Sequence, residues 1–456
     1  MITDISFSNF MSWKNLKKLK FGKITGIFGA NSSGKTSIIN MILLLKQSIE
    51  SPDRKQILNF GTDRDYIQLG SYHDIIHNHI IETPLDISIG FTNKNPLKIT
   101  DPNKRQVVLF EDNRLIFSSS ISQTKANRMF INDLTYDFAN MQFHMRKQKK
   151  DKYEYALSAK SYYSRKNLFK RAMGRGWPLP EPIKFYGFPD QVRTYYQNAG
   201  FLFDLQLNLE TNFSSIFYLG PLRDYPQRQY TWTGIQPIDM GRRGERYVDA
   251  LLASRERGEQ FQKKRGVKKV SLEEYIAYWL KEIGVIDTFI VDEIKQGTNM
   301  YQVKVKRNNE SASVLITDVG FGVSQILPII TLCYYAPENS TVIIEQPEIH
   351  LHPLVQSYLA DVFIDAIQKR NIQLIIESHS EHLLRRLQLR IAEEKISSND
   401  VELYFCSVEK DQSKITQIQM DLFGIIDNWP DDFFGNEYND IAKMNQAIIH
   451  RKNNVK

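Results

Sequence analysis

Hydrophobic and polar positions change period several times along this chain, and the changes mark its elements. Residues 1–10 (MITDISFSNF) alternate as a strand does, and residues 23–28 alternate again just before Gly29. Between residues 33 and 45, Ile38, Ile39, Ile42, Leu43 and Leu44 recur at helical spacing. The opening therefore reads as strand, strand, glycine-bearing loop, helix. Residues 66–70 (YIQLG) and 85–91 add short strand candidates. From about residue 95 to 215 the rhythm breaks into short strands and helices rich in Asn, Lys and Tyr, which reads as an insertion between two halves of one domain. Residues 218–234, punctuated by Pro and Gly, return to the core. Ser271 and Glu274 then have capping-box spacing ahead of a helix carrying Tyr275, Ile276, Trp279, Leu280 and Ile283.

The second half is more regular. Residues 300–305 and 313–316 read as strands, and 318–324 as a glycine turn. Ser324 would cap a helix running to Tyr335, which puts Pro328 in the first turn, where its missing N–H costs little. The apolar run Val342, Ile343, Ile344 ends in Glu345 and turns through Pro347. A helix from Pro353 carries one apolar stripe, and residues 372–376 form another apolar strand, followed by Ser378 and His379. Strand, helix and strand in parallel require a right-handed crossover, so Glu345 and His379 should emerge at one sheet edge. Open α/β sheets bind ligands at that edge. The expected units are residues 1–94, a first lobe; 95–215, an inserted arm; 216–310, a return segment; 311–400, a second lobe; and 401–456, a small C-terminal domain.

Residues 29–36 (GANSSGKT) satisfy the whole G-x-x-x-x-G-K-[ST] pattern. Gly29 and Gly34 permit the close backbone approach that points N–H groups at phosphate oxygens, and the following helix adds its positive end. Lys35 would reach the β- and γ-phosphates of ATP, and Thr36 would offer a hydroxyl to Mg²⁺. Asn31, Ser32, Ser33 and Ser37 complete the ATP-binding set. Glu345 would hold Mg²⁺ through water, since a hard cation takes oxygen ligands. After the strand acid comes Gln346, whose amide can orient a water but cannot take its proton. Glu348 as base, slow turnover and a base elsewhere all remain open. His379, ending a buried strand, is a candidate γ-phosphate sensor. Glu348, His350 and His352 have poor metal spacing, and His352 before Pro353 reads as a helix cap. Gly320, Gly322 and Ser324 form a second possible phosphate cradle, placed to close on the ATP of another subunit.

Charge changes the picture in one place. Residues 146–175 hold eleven Lys/Arg against Asp151 and Glu154, a local +9, while the whole chain is +7, leaving −2 elsewhere. Arg146, Lys147, Lys149, Lys150, Arg165, Lys166, Lys170 and Arg171 interleave with Tyr153, Tyr155, Tyr162, Tyr163 and Phe169. Cations with stacking aromatics suit nucleic acid, and a solvated arm or protein-docking surface suits the same pattern. The apolar runs are too short to cross a bilayer, which needs roughly 20 residues. No signal peptide is evident, and Cys333 and Cys406 read as core thiols of a cytoplasmic protein.

The motifs GANSSGKT, VGFGVSQILP (319–328), IEQPEIHLHP (344–353) and ESHSEHL (377–383) together resemble the ABC-type ATPases related to SMC proteins, RecF and the OLD nucleases. Residues 218–228 (YLGPLRDYPQR) and the W-P-x-x-F-F block at 429–434 resemble bacterial stand-alone members of that group. The resemblance covers residues 1–80, 216–252 and 311–435. It implies an α/β ABC-type P-loop head, a mixed sheet with flanking helices, carrying an inserted α+β arm and a small C-terminal domain. It also implies ATP held between two heads, with Ser324 and the Gly320–Gly322 backbone meeting the partner's nucleotide, and Gln68 as a Mg²⁺-sensing glutamine. The usual signature serine position is Gly320, and the usual catalytic glutamate position is Gln346. Only about 75 residues follow His379, against on the order of 100 for a nuclease domain, so no nuclease of its own is expected.

Three functions fit. The first is an ATP-driven homodimerising switch with slow hydrolysis that regulates a separately encoded effector, such as an HNH nuclease, in anti-phage defence of the Septu kind. The second is a DNA-repair or chromosome-maintenance ATPase acting directly on DNA. The third is a nucleotide-gated scaffold with negligible hydrolysis.

Overall fold

The computed structural model describes residues 1–101, 104–149, 152–162, 169–173, 176–263, 266–307, 312–320, 322–430, 443–448 and 451. Lys150, Tyr163, Arg165, Lys166 and residues 431–434 of the W-P-x-x-F-F block lie outside them.

The chain opens with β1 (Ile2–Phe10), β2 (Trp13–Lys20) and β3 (Ile24–Gly29), then α1 (Lys35–Glu50). After the short α2 (Tyr72–Ile75) come long strands: β4 (Leu85–Asp101), β5 (Lys104–Gln123), β6 (Met129–Phe138), β7 (Met141–Lys149) and β8 (Lys152–Ser161). Helices α3 (Gln191–Tyr195) and α4 (Leu202–Ser214) lead to β9 (Ile216–Leu219). The return segment holds β10 (Tyr230–Thr231), α5 (Tyr247–Glu256), β11 (Gln260–Gln262), β12 (Lys269–Ser271), α6 (Leu272–Glu282), β13 (Thr288–Glu293), β14 (Met300–Lys306) and β15 (Val314–Leu315). Next along the chain are α7 (Gly322–Tyr335), β16 (Thr341–Glu345), α8 (Pro353–Arg370), β17 (Gln373–Glu377), α9 (Glu381–Ala392), β18 (Val401–Glu409) and β19 (Gln412–Ile418).

Two large sheets organise these elements. The first is antiparallel, in order β2-β1-β4-β5-β6-β7-β8. The second runs β19-β18-β3-β17-β16-β9, parallel apart from β19. Because side chains alternate along a strand, this second sheet feeds two cores. Ile27, Ile343 and Ile375 point into the core shared with α1 and the antiparallel sheet. Val342, Ile344, Leu374 and Ile376 point the other way, into the core built by α5 to α9. Such strands are buried on both faces and read as continuous apolar runs.

The expected boundary at residues 94/95 falls inside β4. The expected arm, residues 95–215, holds strands followed by the helices α3 and α4, and its strands begin earlier, at residue 85. They are five strands continuing the sheet that β1 begins, with Ile5 opposite Ile89 and Phe7 opposite Ile87. Their serines disguise the strands. Ser6, Ser88, Ser118, Thr135, His144 and Ser158 lie in register across six strands, giving one face of small polar residues, while Ile89, Phe117, Tyr136 and Phe143 pave the other.

Helix α7 starts at Gly322 rather than after Ser324, so Pro328 lies within the helix and Ser324 is buried in its first turn instead of capping it. The 3-10 turn at Ile316–Asp318 brings the glycines to the helix start earlier than the serine. Residues 66–70 form a loop, not a strand. The capping box is formed: Glu274 N–H donates to Ser271 Oγ, and Ser271 N–H donates to Glu274. His352 caps α8 by accepting from Leu354 N–H at Nδ1, and Leu354 itself is exposed.

Candidate nucleotide site

Strand β3 delivers the phosphate loop to the carboxyl edge of the parallel sheet. Gly29 has φ 141° and Gly34 has φ 92°, both where a side chain is strained. A Cβ at Gly29 would come within 2.2 Å of the Cys406 carbonyl oxygen, and one at Gly34 within 2.2 Å of Ser413 Oγ. The β18–β19 hairpin therefore lies directly against the loop. Trp13 Nε1 donates to the Gly34 carbonyl (2.9 Å), tying the antiparallel sheet to the same turn. Asn31, Ser32 and Thr36 are exposed and Ser37 is half-buried. Ser33 is buried, and its Oγ has no hydrogen-bond partner among the described residues. Lys35 is buried with its ammonium donating to the carbonyls of Gly29 (3.0 Å) and Ala30 (2.7 Å).

Two acids end neighbouring strands, since Glu345 of β16 and Glu377 of β17 are in register. Strand β17 lies between β16 and β3, so Glu377 is one strand, about 4.8 Å, nearer the phosphate loop. Thr36 Oγ1 donates to Glu377 Oε1 (3.0 Å), while Glu377 Oε2 is buried with no hydrogen-bond partner among the described residues. Glu345 Oε1 instead accepts from the Tyr218 hydroxyl (2.8 Å). Burial, and then the charge of Glu377, push the Glu345 carboxyl up to about 8. Burial also raises Glu377, against the pull of Lys35 and the Thr36 hydroxyl. The sequence shows Glu377 inside a motif without marking a role for it. It has the same signal as Glu345, an acid closing an apolar strand.

Beyond Glu345 the backbone turns sharply. Gln346 has φ 43°, and its N–H donates to the Glu377 carbonyl (2.7 Å), closing the two strand ends together. Arg223 holds the same turn from below. Its guanidinium donates to the carbonyls of Pro221 (2.8 Å), Gln346 (3.0 Å) and Glu345 (2.8 Å). Burial lowers it to about 10. This residue is visible in the sequence only as part of a resembling segment. The Gln346 side-chain amide has no polar partner among the described residues.

Glu348 is engaged. Its carboxylate accepts from His379 N–H (2.6 Å) and Ser378 Oγ (2.9 Å), binding the turn after β16 to the turn after β17. Burial raises its pKa, opposed by these hydrogen bonds. His379 is exposed at the same edge, and the partial desolvation of its ring, then the charge of Lys35, lower its pKa. Glu345, Gln346, Glu348, His379, Lys35 and Thr36 thus converge, as the right-handed crossover requires.

Other predicted residues lie apart. Gln68 is exposed, without a polar partner among the described residues. Its neighbour Ile67 is anchored on Gln47, which is 11 residues beyond Thr36 in α1, roughly 16 Å along the axis. A Cβ at Gly320 would meet nothing within 4 Å, and one at Gly322 only the His350 carbonyl and Leu351 side chain at the edge of contact. That leaves the start of α7 open to close approach. Asp318 beside it pairs with Arg228 (2.8 Å).

The basic segment is the β7–β8 hairpin and the residues just after it. Arg146 pairs with Asp133 (2.9 Å), and the Lys147 ammonium lies over the Phe130 and Tyr153 rings. Arg171 lies over Tyr196, and Lys170 is exposed. The expected stacking set shrinks, because Tyr155 and Phe169 are core residues, the former donating its hydroxyl to the Ile131 carbonyl. For Tyr155 the interleaving with cations is strand alternation in β8. Replacing Arg146, Lys147, Lys149 and Lys150 by glutamine is expected to weaken retention on DNA or RNA and flatten its salt dependence. Unchanged elution from either polymer would reject a nucleic-acid role for this hairpin.

Mg²⁺ fits the loop. The Thr36 hydroxyl and the carboxylates of Glu345 and Glu377 are hard oxygen donors, and one Glu377 oxygen is unsatisfied. Among the described residues no group of three or more His, Cys, Asp or Glu could hold a metal alone. Among the same residues no helix is long and apolar enough to cross a membrane.

Comparison with known families agrees with this site. Residues 4–216 match the AAA domain family, residues 256–384 the AAA ATPase domain family, and residues 396–444 a family described as Protein of unknown function (DUF3696). No curated protein matches the chain. Among solved structures, the SMC head domain from Thermotoga maritima is similar at 11% identity over 92% of this chain and 99% of that one, with a TM-score of 0.41. An Smc head bound to the C-winged helix domain of ScpA is similar at 12% identity over 91% and 98%, with a TM-score of 0.43. An Smc head with an extended coiled coil, bound to the C-terminal domain of ScpA derived from Pyrococcus furiosus, gives 12%, 91%, 96% and 0.39. At TM-scores below 0.5 these likenesses add nothing to the topology already described. The two AAA-type matches contain the phosphate loop and the strand-end acids respectively, and what they support is a nucleotide-binding P-loop ATPase.

Proposed function

We propose that the chain is a slow ATP-driven switch that dimerises on ATP and regulates a separately encoded effector, a nuclease in anti-phage defence. The observation carrying the slow switch is the pair Gln346 and Glu348. An amide stands where an attacking water needs a base, and the nearest following carboxylate already accepts two hydrogen bonds that join the strand ends. Glu348 in that position transmits the state of the His379 turn to the turn after β16. The open backbone at Gly320 and Gly322 supports a second head closing on the nucleotide. The effector and the defence role are supported by the resemblance to Septu-type ATPases. Within this reading Thr36 and a strand-end carboxylate hold Mg²⁺, which supplies neutralising charge to the phosphates.

Single-turnover hydrolysis tests the switch. Release of phosphate is expected over many minutes, and Glu348→Gln should change the rate by less than about tenfold if it is a link rather than a base. Many turnovers per minute, abolished by Glu348→Gln, would overturn it. Co-purification with the neighbouring gene product should require ATP, and an ATP-independent complex would reject nucleotide control of the partner. A scaffold with negligible hydrolysis is the second reading. It is favoured by the same engaged Glu348, and undetectable turnover with intact ATP binding would select it.

A further inference from the structure

Family logic assigns the magnesium-facing acid to the end of the strand carrying Glu345. The geometry points elsewhere, and we propose that Glu377 is the carboxylate that meets Mg²⁺ beside the Thr36 hydroxyl, with Glu345 a supporting group behind it. This rests on the ATP-site reading above and adds a residue to it.

Four observations carry the assignment. Strand β17, not β16, is the hydrogen-bonded neighbour of β3, so its terminal side chain stands closest to the phosphate loop. Glu377 Oε1 already accepts from Thr36 Oγ1 at 3.0 Å, the hydroxyl that the motif commits to Mg²⁺. Its Oε2 is buried with no hydrogen-bond partner among the described residues, in a residue only 1% exposed. A buried carboxylate oxygen without a donor is costly unless a cation or donor meets it in the working state. Glu345, by contrast, has Oε1 occupied by the Tyr218 hydroxyl, and its carbonyl by Arg223.

The assignment is tested by binding, not turnover. The affinity of a fluorescent ATP analogue is measured in Mg²⁺ and in EDTA for the wild type, Glu377→Gln, Glu345→Gln and Thr36→Ala. Mn²⁺ uptake by the nucleotide complex, followed by electron paramagnetic resonance, is a second readout. Expected is that Glu377→Gln binds the analogue in EDTA at least as tightly as the wild type, since a carboxylate beside the phosphates is gone. It should lose at least about tenfold of the gain that Mg²⁺ provides, matching Thr36→Ala, and take up Mn²⁺ weakly. Glu345→Gln should retain most of that gain. A full Mg²⁺ gain in Glu377→Gln, or its loss in Glu345→Gln alone, overturns the assignment. Wild-type protein that binds no analogue in either buffer defeats the underlying ATP reading instead. Should Glu377→Gln fail to fold, Glu377→Asp carries the test, since the shorter acid keeps the charge and withdraws its oxygens from Thr36. A normal Mn²⁺ signal in that variant also overturns the assignment.

Discussion

Replacing Lys35 with methionine is expected to weaken ATP binding by about 10- to 100-fold, the loss of one to two charge-assisted hydrogen bonds to phosphate. A nucleotide titration followed by analogue fluorescence measures it. The same substitution has a second effect that a surface lysine would not show. Lys35 is the foremost favourable charge acting on buried Glu377, and its ammonium also knits the carbonyls of Gly29 and Ala30. Without it the Glu377 pKa rises further than burial alone has raised it. A carboxyl whose folded pKa is raised favours folding fully below the ordinary carboxylate range and loses that contribution as pH climbs through the folded value. Lys35→Met should therefore lose stability relative to the wild type from mildly acidic pH upward, seen in urea midpoints across a pH series. A difference independent of pH would show that Lys35 and Glu377 do not share a field.

Replacing Arg223 with methionine should be the most destabilising single change near the site, at about 3 kcal/mol or more. The guanidinium carries a real burial cost, shown by its lowered pKa, and an apolar substitute escapes it. What decides the sign is the three carbonyl oxygens left behind, at Pro221, Glu345 and Gln346, each costing about 1–3 kcal/mol if unsatisfied. Two buried acids, Glu345 and Glu348, also lose a cation that lowers their pKa. Thermal unfolding should show a clear fall for Arg223→Met and a smaller one for Arg223→Lys, which keeps the charge without the fork. Equal midpoints for wild type and Arg223→Met would mean that the turn at Gln346 holds without it.

The phosphate loop was legible because its chemistry is local: eight consecutive residues state the turn, the cation and the hydroxyl. Glu345 and His379 were placed at one edge by strand order alone, and the parallel register bears this out. The extent of the first sheet was not legible. β1 pairs with β4 some 80 residues later, and its serine rows carry no apolar alternation on the exposed face. Arg223 and Glu377 were in view as letters of motifs, yet their work depends on which strand lies beside which. No spacing in the sequence states that β17 lies between β16 and β3.

The neighbours of β3 have a consequence for how the protein is made. The strand that carries the phosphate loop is hydrogen-bonded on one side to β17 and on the other to β18, both supplied by residues beyond 372. A chain still on the ribosome exposes its nucleotide motif long before the strands that flank it, and the phosphate-loop strand lacks one neighbour until Val401–Glu409 emerges. A chain ended ahead of Val401 is therefore expected to capture no ATP, although it already carries the whole nucleotide motif.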